Sequence, residues 1–459
     1  MPNDLPSNPQ RKSKDRGKLL QVLGVGFGIA VAVGNSISVG IVRTPGDIAA
    51  RLPNVWLYFA VWFGGAFYAL MSAFQIAELG AAIPRSGGQY NFSRRAIGDY
   101  AGFITGWGDW LSTCGTTGAV GIVIGEYLGH LFPLLSGYWP TTITKVGIIL
   151  FFAALQWKST SMGGAVQNVT TLLKALVFFV MVIACFTFGG PAHAASLSVP
   201  HLPAPLGAAL ITALLFGLQA TIYTYDGWDG IIYFGDEVKN PGKFIPRAIF
   251  ASLLSLFVIY LLINAAVIYV LPMSEIAGND FSLGVAAQRV FGRHGDFIFR
   301  SIFVLALFSS LNALHLMAAR VIYAMSRDGL FFRQFTRTNS GGTPTLALLL
   351  SAAVGVAFAV GKFDRVIAML AFFFVSNYLL SFISLFILRR REPDLPRPYR
   401  AWGYPWTTIL ALLGSVAFLV EAVREDPRNS YLTLIALACS YPVYRLLKYV
   451  SSKSFPESA

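Results

Sequence analysis

Apolar residues in this chain run in long unbroken stretches instead of alternating with polar ones. A helix that crosses a bilayer needs about 20 mostly apolar residues. The pattern predicts twelve such stretches, near 20–50, 54–82, 98–130, 141–158, 164–190, 206–234, 246–271, 296–326, 343–361, 365–388, 403–421 and 430–448. The segment before them is polar and carries Pro2, Pro6 and Pro9, a composition that does not build a core. No cleavable leader is expected, because the first stretch is long and runs on into further membrane sequence.

Two stretches are interrupted near their middles. The first reads Val33-Gly34-Asn35-Ser36-Ile37-Ser38-Val39-Gly40-Ile41-Val42-Arg43-Thr44-Pro45-Gly46, and the sixth reads Tyr223-Thr224-Tyr225-Asp226-Gly227-Trp228-Asp229-Gly230. One glycine pair alone is ordinarily a packing contact between helices. Matched interruptions in two halves of a membrane chain are instead the sequence pointer to a transporter binding site. Irregular backbone survives at membrane depth only where protein or a wet cavity covers it. Lying five stretches apart, the interruptions fit a five-plus-five inverted repeat followed by two further helices. The expected divisions are a tail at 1–19, a first repeat at 20–190 (spans 1–5), a second at 206–390 (spans 6–10), spans 11–12 at 403–448, and a tail at 449–459.

Composition narrows the class. Of 459 residues, 55% are hydrophobic and 12% charged, against about 25% charged in soluble domains. Disorder, a disulfide-stapled fold and an ordinary soluble enzyme are thereby excluded. The net charge of +13 raises the question of nucleic acid, but Lys and Arg fall between the apolar stretches and form no basic face. They act as topology signals. One set of loops and tails holds 23 of them and the opposite set six. The basic side is the cytoplasmic one, so both termini are expected there. Cys114, Cys185 and Cys439 show no ligand spacing, and neither a metal nor a cofactor is expected.

Breaking a membrane helix exposes N–H groups on one half and C=O groups on the other. The N–H end attracts a carboxylate and the C=O end an ammonium. That pair describes the head group of an amino acid. Candidate substrate residues are Ser36, Ile37, Ser38, Val39, Gly40, Ile41, Tyr223, Asp226, Gly227, Trp228 and Asp229.

Four segments carry a family likeness. Ser38-Val39-Gly40-Ile41-Val42 with Pro45 is similar to G-S-G-I-F…P. Glu78, then Pro84 to Tyr90, then Gly102 to Trp107 is similar to E…P-x-S-G-G-x-Y…G-F-x-x-G-W. Tyr223 to Asp229 is similar to F-x-Y-x-G-W-[ND], and Asp236 to Pro241 with Pro246-Arg247-Ala248 to E-E-V-K-N-P…P-R-A. From about 20 to 400 the chain resembles the amino acid–polyamine–organocation superfamily, most closely its L-amino acid transporter (LAT) branch. The resemblance implies an all-α membrane fold of twelve helices, the LeuT-type inverted repeat plus two C-terminal helices. It implies a secondary transporter of L-amino acids in the cell (inner or plasma) membrane, working by alternating access without sodium, by exchange or with a proton. Neutral substrates come first, and cationic amino acids or polyamines stay open through Asp226.

The chain also departs from the pattern. Val39 stands in the turn where a β-branched residue resists positive φ, and Arg43 stands where the family has an uncharged residue. Animal members that pair with a single-span glycoprotein carry a Cys in the loop corresponding to His130–Thr141; this loop has none, so no disulfide-linked subunit is expected.

Lys174, mid-span behind Gln167, matches the lysine that in the family takes the place of a sodium ion. It reads either as a bridge to span 1 or 8 or as a proton carrier. Tyr223 matches an aromatic gate. Asp229 reads as a cap for a second half-helix, while Asp226, nearer a cavity, could balance Arg43. Asp109 and Glu126 read as hydrogen-bonded packing acids or as proton sites, packing first, Glu78 as a family residue near the cytoplasmic end, and Asn312 as a cross-helix contact. A membrane enzyme, the rival reading, lacks a facing catalytic partner for these acids, and the family segments speak against a channel.

Overall fold

The computed structural model describes residues 23–158, 160–189, 205–361 and 363–453. The expected tail 1–19, the loop 190–204 and the end of the tail 449–459 lie outside them. The first break is present as expected. Helix α1 (Val25–Ser36) stops, three residues follow, and α2 (Gly40–Arg51) resumes at a 44° bend. Next come α3 (Val55–Ala82), the short α4 (Tyr90–Ile97), α5 (Asp99–Leu131), α6 (Tyr138–Lys158) and α7 (Thr160–Phe188). The second half contains α8 (Ala208–Tyr225), α9 (Pro241–Val270), α10 (Met273–Ile276), α11 (Ser282–Phe291), α12 (Gly295–Arg327), α13 (Thr345–Ala359) and α14 (Phe363–Arg391). Helices α15 (Trp406–Glu425), α16 (Pro427–Ala438) and α17 (Ser440–Lys453) close the chain.

Among the described residues, eight helices are long and apolar enough to cross a membrane, nine if the bent pair α1–α2 counts as one. Four expected stretches differ from that simple form. The third, α5, has 33 residues but is not among the eight. The sixth, 206–234, is helical only to Tyr225; two 3-10 turns, Gly230–Tyr233 and Gly235–Glu237, stand where a second half-helix was expected. The ninth is a helix of 15 residues. The twelfth divides at Cys439 between α16 and α17.

The burial pattern is that of a protein in lipid. Phe63, Phe67, Leu172 and Phe179 face outward, while Lys174, Arg320, Glu237 and Glu78 are buried. Water would demand the reverse arrangement, whereas lipid makes apolar exterior surface free of cost and polar surface expensive. Helix α5 threads the middle, packed by α12, α13, α14, α6 and α4. Its small residues permit that: a Cβ at Gly118 would lie 2.9 Å from the Gly355 carbonyl of α13. Asn54 caps α3 by accepting from the Trp56 and Leu57 N–H groups at 2.9 and 3.2 Å.

Buried charges are paired across elements. Arg320 of α12 donates to both Glu237 oxygens, at 2.5 and 2.9 Å, lies over the Phe234 ring, and has 2% of its side chain exposed. Glu78 of α3 receives Arg389 and Arg397 and the Ala401 N–H, tying the end of α14 to the segment after it. Outside the membrane, Arg95 beside Glu392 holds that carboxyl below its ordinary range. Removing one partner of a buried pair strands the other. Arg320→Met is therefore expected to destabilise by about 3–5 kcal/mol, and Arg320→Met with Glu237→Leu to recover much of the loss. Thermal unfolding in detergent checks both; equal destabilisation by the single and the double variant would contradict the pairing.

Candidate functional site

The break in the first span is held open by side chains from three other helices. The Lys174 ammonium of α7 donates to the carbonyls of Gly34 and Ile37, at 2.9 and 2.6 Å, and to Ser310 Oγ of α12 at 3.0 Å. Ser310 donates in turn to the Gly34 carbonyl, at 2.9 Å. Tyr260 of α9 donates from its hydroxyl to the Ser36 carbonyl at 2.7 Å and to the Thr224 carbonyl at 3.0 Å. One turn earlier, Thr171 and Gln167 donate to the Ala30 carbonyl, at 2.9 and 3.1 Å. Asn312 extends the network by donating to Gln167 Oε1 at 2.9 Å. An ammonium has three donors, and all three are in use. Geometrically Lys174 is a bridge from α7 to both span 1 and α12.

Val39 sits in ordinary right-handed helical conformation, φ −62°, so its β-branched side chain meets no strain at the break. The first N–H groups of α2 have no intrahelical acceptor, and no side chain caps them. Beside them, the Ser36 and Ser38 hydroxyls are buried without a hydrogen-bond partner.

The second interruption crosses the first. Gly40 packs on Thr224, and the Thr44 and Thr224 hydroxyls are 2.7 Å apart. After Tyr225 the chain turns at Gly227, with φ +100°. A Cβ there would lie 2.3 Å from Asn35 Nδ2 and 3.0 Å from Ser36 Oγ, so both backbone conformation and space demand glycine.

A cavity opens where the two breaks meet. Of the residues expected from sequence, Ser36, Ser38, Val39, Gly40, Tyr223, Asp226, Gly227 and Asp229 line it. Ile37 and Ile41 do not; both are fully buried in the core. Trp228 does not line it either, but stacks on the Tyr378 ring, at 5.7 Å between centroids. Tyr378 donates from its hydroxyl to Asp226 at 2.8 Å. Tyr223 faces Phe374 of α14 across 6.3 Å.

Two expectations need correction. Asp229 precedes a 3-10 turn in place of a second half-helix, and its side chain makes no capping bond there; its carboxylate accepts from Gln89 Nε2 at 3.1 Å. Arg43 pairs with Glu126, at 2.6 Å, and lies over the Phe363 ring, so it is not set against Asp226 and Glu126 is no mere packing acid. Sequence reasoning also missed lining residues brought from distant elements: Gln89, Thr113, Thr116, Tyr233 and Asn377, with Asp109, which had been read as packing. Asp109 could have been found from its charge at mid-span in α5.

On the side of the Lys- and Arg-rich loops, polar contacts tie several elements together. Ser86 and Asp236 exchange hydrogen bonds at 3.1 and 3.0 Å, Arg327 pairs with Asp236, and Asp328 receives Arg85, Arg94 and Tyr90.

The sequence pattern of the amino acid permease family matches residues 23–438. The chain belongs to that family, within the amino acid–polyamine–organocation superfamily. This permease is similar to the serine/threonine exchanger SteT of Bacillus subtilis, with 29% identity covering 95% of this chain and 98% of the relative. It is similar to the branched-chain amino acid permease BcaP of Lactococcus lactis, with 26% identity over 86% and 88% of the two chains. The mouse b(0,+)-type amino acid transporter 1 is 23% identical over 94% and 88%. Family and relatives alike are amino acid transporters rather than enzymes, and the permease is a multi-pass membrane protein.

The bridge predicts a cost for its removal. Lys174→Ala leaves the Gly34 and Ile37 carbonyls short of a buried donor, and about 1–3 kcal/mol of stability should go with it. A depressed melting temperature in detergent is the expected result; an unchanged one would show that the break stands without the ammonium.

Proposed function

We propose that the permease moves L-amino acids across the cell membrane by alternating access, exchanging one for another without sodium. The observation that carries this reading is the pair of buried, unpartnered hydroxyls of Ser36 and Ser38 beside the uncapped start of α2, all lining one cavity. They offer donors to a substrate carboxylate. The ammonium of the substrate does not take the α1 carbonyls, because Lys174 and Tyr260 already hold those of Gly34, Ser36 and Ile37. It pairs instead with Asp226 at the C-terminal end of α8, where the helix dipole is negative. Tyr223 against Phe374 is the gate on the external side, and the Ser86–Asp236–Asp328 cluster closes the cytoplasmic side.

Sodium independence follows from Lys174, a fixed positive charge at the broken helix where a cation would otherwise be required. The exchanger among the relatives supports exchange as the mode. Twelve spans arranged as two inverted repeats of five with two further helices, and both termini in the cytoplasm, complete the reading. The resident partners are lipid and substrate. Head-group recognition of this kind admits neutral side chains, and the carboxylates in the cavity favour positively charged ones as well.

Counterflow in proteoliposomes tests the function. Labelled amino acid uptake should rise several-fold when the lumen is preloaded with unlabelled substrate, and replacing external sodium by choline should leave it unchanged. Uptake insensitive to preloading would remove exchange, and a large loss in choline would remove sodium independence.

A further inference from the structure

Among the described residues three carboxylates line the cavity, those of Asp109, Asp226 and Asp229, and none of the lining residues is Lys, Arg or His. The nearby cations are committed elsewhere: Lys174 to the α1 carbonyls and Ser310, Arg43 to Glu126. Asp226 accepts from Tyr378 and Asp229 from Gln89. Asp109 is held differently. Its Oδ1 accepts from the Tyr233 hydroxyl at 2.7 Å, while Oδ2 is buried with no partner, in a residue only 3% exposed. A carboxylate oxygen left so is costly. The Tyr233 bond fixes the orientation of the carboxylate, and among the described residues nothing completes it.

Asp109 also shares its cavity with the residues of the head-group site, Ser36, Ser38 and Asp226. Asp109, Thr113 and Thr116 all line the cavity along α5, and seven residues of helix rise about 10 Å. Asp109 stands beside Gly88 and Tyr233, and Thr116 lies about two turns further along α5.

We infer that Asp109 is the acceptor for a positively charged substrate side chain, so that this permease prefers cationic L-amino acids to neutral ones of the same shape. The inference rests on the head-group site of the proposed function. An ammonium or guanidinium on Oδ2 supplies the missing donor in a charge-assisted hydrogen bond.

The test is thermal stabilisation of the detergent-solubilised permease by arginine and by citrulline, which has nearly the same shape without the charge. Serine serves as the head-group control. Arginine should act at least about tenfold more potently than citrulline. Asp109→Asn should bring the ratio near one, and Asp109→Glu, which keeps the charge, should restore part of it. Equal potency of arginine and citrulline on the wild type overturns the inference even if the Asn variant fails to fold, and leaves the head-group site standing as long as serine stabilises. A ratio that survives in Asp109→Asn overturns it too, since the charge is then read elsewhere. No stabilisation by serine, arginine or citrulline overturns the head-group site and this inference with it.

Discussion

A helix broken inside a bilayer must satisfy its freed carbonyls without water, and here that burden falls on one ammonium. Lys174 takes the Gly34 and Ile37 carbonyls and leans on Ser310, while Tyr260 takes the Ser36 carbonyl. Hydrocarbon offers no partner to such groups. Without these donors the chain would gain by closing the gap into one continuous helix, and the uncapped start of α2 would disappear with it. The site exists because the protein satisfies one side of the break from within and leaves the other side open.

That division explains where the charges lie. Positive groups near the middle of the protein are spent on structure: Lys174 on the break, Arg43 on Glu126, Arg320 on Glu237. The cavity keeps only acids, with hydroxyls at the foot of α2. Such a cavity has two kinds of unmet demand, donors waiting for a carboxylate and carboxylates waiting for a cation. An amino acid answers both at once. The two breaks must touch for this to work, and they do so through glycine: Gly40 against Thr224, and Gly227, at φ +100°, against Asn35 and Ser36.

Much of this was legible in the residue order. Both interruptions, the mid-span lysine and the part of the cavity wall that the interruptions themselves supply could be read from glycines and polar groups set in apolar stretches. What could not be read was contact between distant elements. Gln89 reaches Asp229 across 140 positions, and Tyr233 reaches Asp109 across 124. The mid-span charge of Asp109 marks it as unusual, but its cavity neighbours come from distant positions. The same limit explains Arg43, whose partner Glu126 stands 83 positions away. The missing second half-helix of the sixth stretch has a local cause: Gly227 and Gly230 in four residues, then Gly235, favour tight turns over continuous helix.

The central claim is that the two breaks together bind the head group of an amino acid. Competition against labelled substrate by analogues blocked at one end tests it most directly: the methyl ester, which removes the carboxylate, and the N-acetyl derivative, which removes the ammonium. Each should lose competition by about a hundredfold or more, since each strands buried groups at one end of the site. If either blocked analogue competes as well as its parent, the head group is not held between α2 and α8 as described.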